Sequence, residues 1–435
     1  MGVPPEVPPE IPPVAPGVAP ASTARFPMGM LLAPGRGWFR ALRHVEFRVF
    51  WAGNFVSNIG SWMQNVAQGW LVLLLTNSPF WLGFVGFAQQ MPALIFSLPG
   101  GVIADRATRR KVLLATQTAM TLLALLLAVL VSMKLITVEK IAVIAFFAGT
   151  TMALNAPSYQ AAVRDLVEEE DTLNAIALNS IQFNMSRVVG PSLAGFAIAG
   201  FPIEVCFYMN ALSYVPLLLV IGRTRFPAHQ ERERNSMREE LAEGFRYVWT
   251  HRRILLLIII VAMVSLFGLP YLVMMPAFAK NVLNVGAKGL GYLMGAAGFG
   301  AFLGGIHLAS RKAHHRRGPL VLGAGVTFFL ALVLFCFSRN MLLSMALLAV
   351  AGAAVVNSVA TINSLIQTLV PNQIRGRVLS MHTMAFLGFT PVGSLLIGTL
   401  AEQWGAPLAM GVSCGVALVL MAGIALAAKD VRSLQ

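Results

Sequence analysis

The sequence predicts an all-α, polytopic membrane protein with about twelve transmembrane helices in two pseudo-symmetric six-helix halves. Of its 435 residues, 57% are hydrophobic and only 11% are charged, whereas a soluble domain carries about 25% charged residues. The apolar segments run for about 20 residues without the alternation of a barrel strand, which favours helices. Several features of the first part of the chain recur in order in the second part, which indicates two related halves.

The chain begins with a proline-rich segment, residues 1–35, which contains ten of its 24 prolines. This composition cannot build a packed core, so we expect a disordered cytoplasmic tail. The segment lacks the basic start and apolar middle of a signal peptide, and we therefore expect it to be retained. Binding of a partner protein by the prolines is the alternative.

Apolar spans fill most of the remaining chain. Six form an N-terminal half at residues 45–222, six form a C-terminal half at residues 254–428, and a charged cytoplasmic linker, residues 223–253, separates them. The expected spans are 49–75, 80–104, 112–133, 139–160, 176–200, 203–222, 254–279, 289–309, 319–337, 341–368, 378–401 and 405–428.

The distribution of basic residues predicts how the chain is oriented in the membrane. The net charge of +14 is concentrated in short segments between spans, which is typical of membrane proteins and argues against a nucleic-acid partner. About 25 basic residues fall on one side of the expected topology and five on the other. The five are Lys134, Lys140, Lys280, Lys288 and Arg339. By the positive-inside rule, both termini are cytoplasmic in a multi-pass protein of a bacterial inner or plasma membrane.

An internal repeat supports the two halves. Gly101 opens a basic loop, and Gly304, 203 residues later, opens another. Residues 166–167, Leu-Val, recur at the same offset as residues 369–370. A repeat of this kind places a binding site at the interface of the halves, near the middle of the membrane.

The sequence offers no metal or cofactor site. Cys206, Cys336 and Cys414 are isolated in or beside apolar stretches, without metal-ligand spacing. A phosphate-binding loop of the Gly-x₄-Gly-Lys-Ser/Thr kind is absent, and no buried catalytic constellation stands out. We therefore expect no cofactor and no enzyme activity.

The chain from about residue 45 to 428 resembles the major facilitator superfamily of transporters. Residues 101–111, GVIADRATRRK, look like the loop signature between helices two and three of that family, with Thr108 where the family often has glycine. Residues 187–195, RVVGPSLAG, look like the fifth-helix motif associated with antiporters. Residues 47–51 and 290–294 are similar to the transmembrane secretion effector branch, which contains enterobactin exporters and macrolide-efflux proteins. The resemblance implies export of a small molecule, with protons as the expected coupling ion.

The loop signature suggests a gate. A carboxylate at Asp105 can interact with a helix N-terminus and with nearby arginines. The resemblance implies a gating role on the cytoplasmic side for Asp105, Arg106, Arg109 and Arg110, and we expect Arg164 to join this cluster. A loop that carries topological charge and nothing more is the alternative.

Arg187 is a formal charge well inside an expected span, about 16 Å along it at 1.5 Å per residue. A mid-span arginine costs about 2.5–3.5 kcal/mol, so it should face the interior, where it binds an anionic substrate group or tunes a proton site. A structural role is the alternative. Gly190, Pro191 and Gly195 permit a kink and close helix approach in the same span, which suits a moving helix.

Amide and hydroxyl side chains form a second set of candidates. In the first span, Asn54, Asn58, Ser61, Asn65 and Gln68 follow helical spacing and form one stripe. Polar groups are unsatisfied against lipid, so we expect this stripe to line a substrate cavity or to hold helices together. Weaker candidates of the same kind are Gln89, Gln90, Asn184, Asn357 and Asn363.

Two aromatic residues and one histidine in the expected spans are also of interest. Trp62 and Tyr271 are candidates for lining a cavity that accepts a ring-bearing substrate. His382 lies near the expected start of a span, which favours a surface histidine over a titrating site inside the protein.

The acidic residues bear on the mechanism. All 18 fall in tails, loops or span ends, so no clear intramembrane carboxylate is available as a proton carrier. We expect a small-molecule exporter for an amphiphilic or aromatic compound that works by alternating access in the lipid bilayer. An importer or facilitator of the same fold and a non-transporting membrane sensor or assembly factor remain alternatives.

Overall fold

The computed structural model describes residues 39–106, 108–224, 226, 237–310 and 317–434, the side chains of 97–106, 237–241 and 429 excepted. The expected tail at residues 1–35, much of the linker, and the side chains of Asp105 and Arg106 lie outside this description. Every regular element in the described part of the chain is helical.

Thirteen long or medium helices follow one another in the described residues. They are α1 (Val45–Thr76), α2 (Pro79–Arg106), α3 (Arg109–Ser132), α4 (Val138–Asp165), α5 (Thr172–Gly200), α6 (Glu204–Arg223), α7 (Met237–Thr250), α8 (Arg252–Val282), α9 (Gly286–Ser310), α10 (Arg317–Phe337), α11 (Met341–Leu369), α12 (Asn372–Trp404) and α13 (Ala406–Ala427). Shorter helical turns occupy Arg40–Arg43, Glu169–Asp171 and Lys429–Arg432.

Short connections end several of these helices. Asn77, Lys134 and Asn284 adopt left-handed backbone conformations, with φ of 50°, 56° and 53°. A left-handed residue turns the chain out of the helical hydrogen-bond ladder, and asparagine tolerates this conformation better than most residues. At the start of α11, the Asn340 side chain accepts a hydrogen bond from the Leu343 N–H at 3.1 Å and so caps the helix.

Nine helices in the described residues are long and apolar enough to cross a membrane. Three further long helices, α1, α2 and α5, are not among the nine. The polar stripe of α1 and the polar residues of α5, including Arg187, lower the apolarity of these two helices. A bilayer-spanning helix with polar side chains must direct them into the protein, and these helices therefore matter most for a candidate site.

The same helix pairings occur twice in the bundle. In the N-terminal group, α1–α6, helix α2 packs against α4, α3 packs against α6, and α1 packs against α5 and α6. In the C-terminal group, α8–α13, helix α9 packs against α11, α10 packs against α13, and α8 packs against α12 and α13. These pairings match helix for helix.

Two long contacts join the groups: the α2–α12 seam and the α5–α9 seam. Each contains a pair of glycines in direct backbone contact. A β-carbon on Gly83 would lie 2.8 Å from the Gly398 Cα, and one on Gly195 would lie 2.9 Å from the Gly291 Cα. Both contacts lie toward the helix ends that are remote from the basic loops. At these ends the two groups are packed as closely as backbones allow.

Helix α8 is interrupted. Residues Val264–Gly268 and Phe278–Val282 form wide turns, and the Leu269 N–H bonds to the Val264 carbonyl at 2.9 Å, five residues back. Pro270 has no N–H, so the Leu266 carbonyl has no helical donor. That carbonyl lies against α12, where a β-carbon on Gly393 would be 2.1 Å from it. The break therefore allows α8 to pack closely against α12.

The linker contains one helix in its described part. Helix α7 packs along the start of α12, where Glu243 pairs with Arg377. A β-carbon on Gly244 would be 3.2 Å from the Arg377 carbonyl, so the two backbones are close. On its outer face the exposed rings of Phe245 and Trp249 stack at 5.7 Å, as expected for aromatic residues at a membrane interface.

Candidate functional site

Arg187 lies where α5 meets α1 and α9. Its guanidinium carbon is 5.4 Å from the centroid of the Trp62 ring of α1, in cation–π geometry. The Trp62 ring in turn contacts Phe183 edge-on, with centroids 6.1 Å apart. The phenol of Tyr271, in the broken helix α8, is buried and lies within electrostatic range of the guanidinium.

The positive charge of Arg187 has no negative counterpart nearby. Among the described residues it makes no hydrogen bond and no ion pair. The described carboxylates all lie at helix ends or in connections, as the sequence predicts. A guanidinium has five N–H donors, and a π-face satisfies none of them as a hydrogen-bond acceptor. The arrangement can therefore accept an anionic group from a ligand next to an aromatic surface.

The side chains of the predicted polar stripe of α1 contact several different helices. The Asn54 amide donates to the Tyr159 hydroxyl at 2.7 Å and to Gln182 Oε1 at 3.2 Å. Tyr159 donates onward to Asn179 Oδ1 at 2.5 Å. This chain of bonds ties α1 to α4 and α5 inside the N-terminal group. At this end of the stripe, the side chains hold helices together.

The remaining stripe residues face other surroundings. Ser61 bonds the Tyr214 hydroxyl of α6 at 2.9 Å, and Asn65 accepts from Gln89 of α2 at 3.0 Å. Asn58 is half-buried and Gln68 is buried, and neither forms a hydrogen bond with a described residue. Asn58 and Gln68 are therefore the two stripe positions with amide groups available to a ligand.

The weaker amide candidates bond mainly within their own helices. The bonds are Gln90 to the Gly86 carbonyl at 3.1 Å, Asn184 to the Ser180 carbonyl at 2.8 Å, Asn357 to the Ala353 carbonyl at 2.8 Å, and Gln367 to Asn363 Oδ1 at 2.6 Å. The Asn357 Oδ1 is buried without a partner. These bonds do not bring the four residues to Arg187.

The predicted gating cluster is partly assembled. Arg109 forms an ion pair with Asp165 at the end of α4, and Arg110 donates to the Gly222 carbonyl at the end of α6. Arg164 is exposed and contacts none of the described members of the cluster. Asp165, one residue further, is the partner that the sequence analysis missed; a carboxylate beside the expected span end was the available signal.

The flexible positions of α5 lie at helix contacts. A β-carbon on Gly190 would be 2.5 Å from the Trp62 Cβ and 2.8 Å from the Ile59 carbonyl. Pro191 and Gly195 both approach Gly291 of α9 through their backbones. Helix α5 is therefore in close contact with α1 on one side and with α9 on the other, with Arg187 between these contacts.

His382 corrects a sequence expectation. It is buried, with 5% of its surface exposed, and its Nε2 has no partner. The expected surface histidine is therefore wrong. Helix α12 begins at Asn372 rather than near residue 378, so His382 lies almost three turns inside the helix.

Ion pairs fasten the start of the described chain to the α4–α5 connection. Arg40 bonds Glu170 at 2.7 Å and Asp171 at 2.6 Å, and His44 contacts Asp171 at 2.9 Å. The hydrogen bond with Glu170, followed by the charge of Asp171, raises the pKa of Arg40 above its ordinary value. Arg40 therefore keeps its charge at any working pH, and this contact is structural.

A shallow apolar groove of about 370 Å³ lies between α2 and α4. Its lining residues are Phe84, Phe87, Ala88, Met91, Ala142, Val143, Phe146 and Phe147. None of them is polar, and none contacts Arg187, so the groove is separate from the candidate site.

The family model described as transmembrane secretion effector matches residues 37–435. The staphyloferrin A transporter of Staphylococcus aureus is 24% identical over 359 residues, covering 82% of this chain and 90% of the relative. The multidrug efflux pump Tap of Mycolicibacterium fortuitum is 26% identical over 356 residues, covering 80% and 87%. The enterobactin exporter EntS of Shigella flexneri is 23% identical over 380 residues, covering 87% and 90%.

Solved structures share the fold at low identity. A bacterial homolog of the human lysosomal transporter Spinster, inward-facing and unoccupied, matches with TM-score 0.71 at 14% identity, covering 90% of this chain and 97% of that chain. The nucleoside transporter NupG matches with TM-score 0.70 at 14% identity, covering 88% and 99%. A D-xylose–proton symporter matches with TM-score 0.66 at 12% identity, covering 87% and 97%.

Proposed function

This chain belongs to the transmembrane secretion effector family of major facilitator transporters, and from that premise we propose that it exports a small amphiphilic or aromatic molecule. The family and the relatives are transporters and not enzymes. Three relatives are named for a siderophore or for drug efflux, which supports a substrate in that range of size and chemistry.

The transport movement is alternating access between two six-helix halves. The repeated pairings of α1–α6 and α8–α13 support twelve spans in two halves, with α7 in the linker between them. The distribution of basic residues supports cytoplasmic termini. Contact between the halves runs along the α2–α12 and α5–α9 seams, so these two seams must rearrange when the site changes sides.

The observation that carries the proposal is Arg187, which faces Trp62 without an ion pair among the described residues. A charge inside a membrane-spanning bundle without a counterion is costly, and this favours a ligand that supplies one. An anionic oxygen can bond the guanidinium while an aromatic part of the ligand packs on Trp62 or Tyr271. We assign the substrate an acidic group beside a ring, as in a carboxylate or catecholate compound.

The test is transport in proteoliposomes with an imposed pH gradient, using siderophore-like acids, a macrolide and a cationic dye. Arg187→Gln is expected to lower the rate for acidic substrates about tenfold or more, since a hydrogen bond to a charged group is worth roughly 1.5–3 kcal/mol. Arg246→Gln is the matched control, because Arg246 is exposed on α7 and forms no side-chain contact with a described residue. Its rates should equal those of the wild type.

The substrates separate the possible outcomes. Equal loss of acidic and cationic substrates in Arg187→Gln would contradict the anion-binding role. Uptake down a gradient without proton dependence would favour a facilitator of the same fold. Movement of none of the compounds by folded protein would favour a membrane sensor or assembly factor.

A further inference from the structure

The apolar groove between α2 and α4 lies outside the contact between the two helix groups. Its lining side chains on α2 are Phe84, Phe87 and Met91, which recur at helical spacing and share one face of that helix. Gly83 and Gly86 lie on a different face of α2, which packs against α12 and α8 of the C-terminal group. The groove therefore opens toward the surroundings of the bundle and not toward the interface of the groups.

The α4 side of the groove is also open. Val143 and Phe147 line it and are 55% and 54% exposed, whereas the small lining residues Ala88 and Ala142 are buried. Helix α4 is one of those apolar enough to cross a membrane, so its exposed side chains meet lipid. The volume of about 370 Å³ falls within the range of small-molecule sites, about 300–1,000 Å³. Because every lining residue is apolar, the groove accepts a hydrocarbon chain.

The groove covers about one leaflet of a bilayer. Helix α2 begins at Pro79 and α4 begins at Val138, both on the side remote from the basic loops. Met91, the deepest lining residue of α2, lies roughly 18 Å along the helix from Pro79 at 1.5 Å per residue. Half of a hydrocarbon core of about 30 Å is about 15 Å. An acyl chain from the leaflet on that side therefore has the length of the groove.

Two opposite charges lie at the mouth of the groove. Glu139 and Lys140 precede Val143 by about one helical turn, so both lie next to the face of α4 that lines the groove. Both side chains are exposed, and adjacent residues on a helix do not face each other, so each charge is open to a ligand. The Lys140 Nζ donates to the Leu135 carbonyl at 2.6 Å, and an ammonium has two further N–H donors.

The charges decide which amphiphile fits, because a hydrocarbon chain gains little from leaving a bilayer whose tails are equally apolar. A headgroup with a phosphate and a primary ammonium matches both residues: the phosphate accepts from Lys140, and the ammonium donates to Glu139. A headgroup with a phosphate alone leaves Glu139 beside a like charge. A choline headgroup has no N–H group to donate to the carboxylate.

We propose that the α2–α4 groove binds one phospholipid with an ethanolamine headgroup, from the leaflet remote from the basic loops. One acyl chain lies along the groove, and the headgroup contacts Glu139 and Lys140. Trp81, near the start of α2, meets the Phe84 ring edge-on at 5.5 Å, which places an indole at the level where tryptophan is enriched in membrane proteins. The site requires only that these helices span a bilayer, and it is independent of which molecule is exported.

The test is photolabelling of the full-length protein in lipid nanodiscs without substrate. The bulk lipid is phosphatidylcholine, and a small fraction of phospholipid carries a diazirine in its acyl chain and an ethanolamine, choline or glycerol headgroup. After illumination, mass spectrometry of peptides measures the label on residues 84–91 of α2 and 142–147 of α4. Label on α13, whose exposed face also meets lipid, is the internal reference.

In wild-type protein, the ethanolamine lipid is expected to label the groove about two- to fivefold more than the choline lipid, the range of an exposed ion pair. Label on α13 should be the same for all three lipids. Glu139→Gln should abolish the preference for ethanolamine over choline, and Lys140→Gln should lower groove labelling by both lipids. Glu204→Gln is the matched control, because Glu204 lies in the first turn of α6 on the same side, and it should keep the preference.

A second variant tests the groove itself. Val143→Trp places a ring at an exposed lining position and should lower the label on α2 severalfold for every lipid. Val412→Trp is its control, because Val412 is 45% exposed at a similar depth in α13, and it should leave the groove label unchanged.

Three results would overturn the proposal: equal groove labelling by the ethanolamine and choline lipids, strongest labelling by the glycerol lipid, or a wild-type α2 label in Val143→Trp. Because the assay contains no transported substrate, failure of the export assay would leave this result unaffected, and the reverse also holds.

Discussion

The two seams between the helix groups are alike in their backbone contacts and differ in their side chains. Each has a glycine pair, Gly83–Gly398 in the α2–α12 seam and Gly195–Gly291 in the α5–α9 seam. The α2–α12 seam ends in charged groups that cap the α1–α2 turn. The α5–α9 seam ends in rings and one cation.

The α5–α9 contacts show the contrast in detail. Phe196 of α5 meets Tyr292 of α9 edge-on, with centroids 5.7 Å apart. The Lys288 Nζ lies 5.6 Å from the centroid of the Phe196 ring. Ala199 stands in α5 where Glu402 stands in α12, 203 positions later. The same helix end therefore carries a carboxylate in α12 and a methyl group in α5.

The shared backbone contacts therefore set which helices meet in each seam. Individual side chains set how each seam is held together. The α2–α12 seam ends in charged groups that bond helix ends, whereas the α5–α9 seam ends in aromatic contacts and a cation over a ring. Arg187 lies on α5, further along the second seam, where its carbonyl is close to Gly298 of α9.

The largest expected effect comes from the feature that both seams share. Gly195→Leu and Gly398→Leu each place a side chain where a β-carbon already meets backbone, so the helices must separate. We expect export to fall more than tenfold in either variant, and the two helix groups to separate on the side remote from the basic loops. Transport assays measure the first effect, and the distance between spin labels on Leu135→Cys and Leu342→Cys, both exposed on that side, measures the second.

Gly423→Leu controls for the added bulk, because a β-carbon at Gly423 of α13 meets nothing within 4 Å. Near-wild-type export is expected for it. If Gly195→Leu exports normally while Gly398→Leu does not, the two glycine contacts are not equally necessary for export.

A smaller effect is expected from the aromatic contact. Phe196→Ala removes an edge-to-face pair worth about 0.5–1.5 kcal/mol and a cation–π contact, so the open population should rise several-fold. The distance between the spin labels on Leu135→Cys and Leu342→Cys measures this shift. A distance equal to that of the wild type would contradict a role of these rings in closing the seam.

The smallest effect is expected from the two lysines compared with each other. Lys288→Gln removes an exposed cation from a ring, which is worth about 0.5–1 kcal/mol. Lys280→Gln removes a cation from a helix end, worth about 0.3–1 kcal/mol at low ionic strength. Both shifts should be about two- to fivefold, and added salt should diminish the Lys280 effect more because it screens the helix dipole. Label distances at low and high salt test this order.

Some features of the molecule follow from the sequence because the bilayer imposes them locally. The positions of the helices match the expected spans to within a few residues at most ends, since an apolar run of about 20 residues has one stable form in lipid. The sequence predicts the repeat and an inward-facing Arg187 on the same grounds. The pairing of Arg109 was predicted less well, because Asp165 and Arg164 adjoin and only helix rotation decides which of them faces it.

Other features depend on which helices pack together. The cap that Glu402 provides joins residues 324 positions apart, and neither Ser78 nor Glu402 stands out along the chain. The burial of His382 depends on where α12 begins. The break in α8 becomes visible only where the Leu266 carbonyl packs against Gly393 of α12. The sequence alone thus determined that the chain is a helical membrane protein, and it predicts a repeat and an interior position for Arg187. The tertiary structure decided what that residue faces and how each seam closes, because side-chain partners in a bundle depend on helix packing and rotation, which a local pattern does not fix.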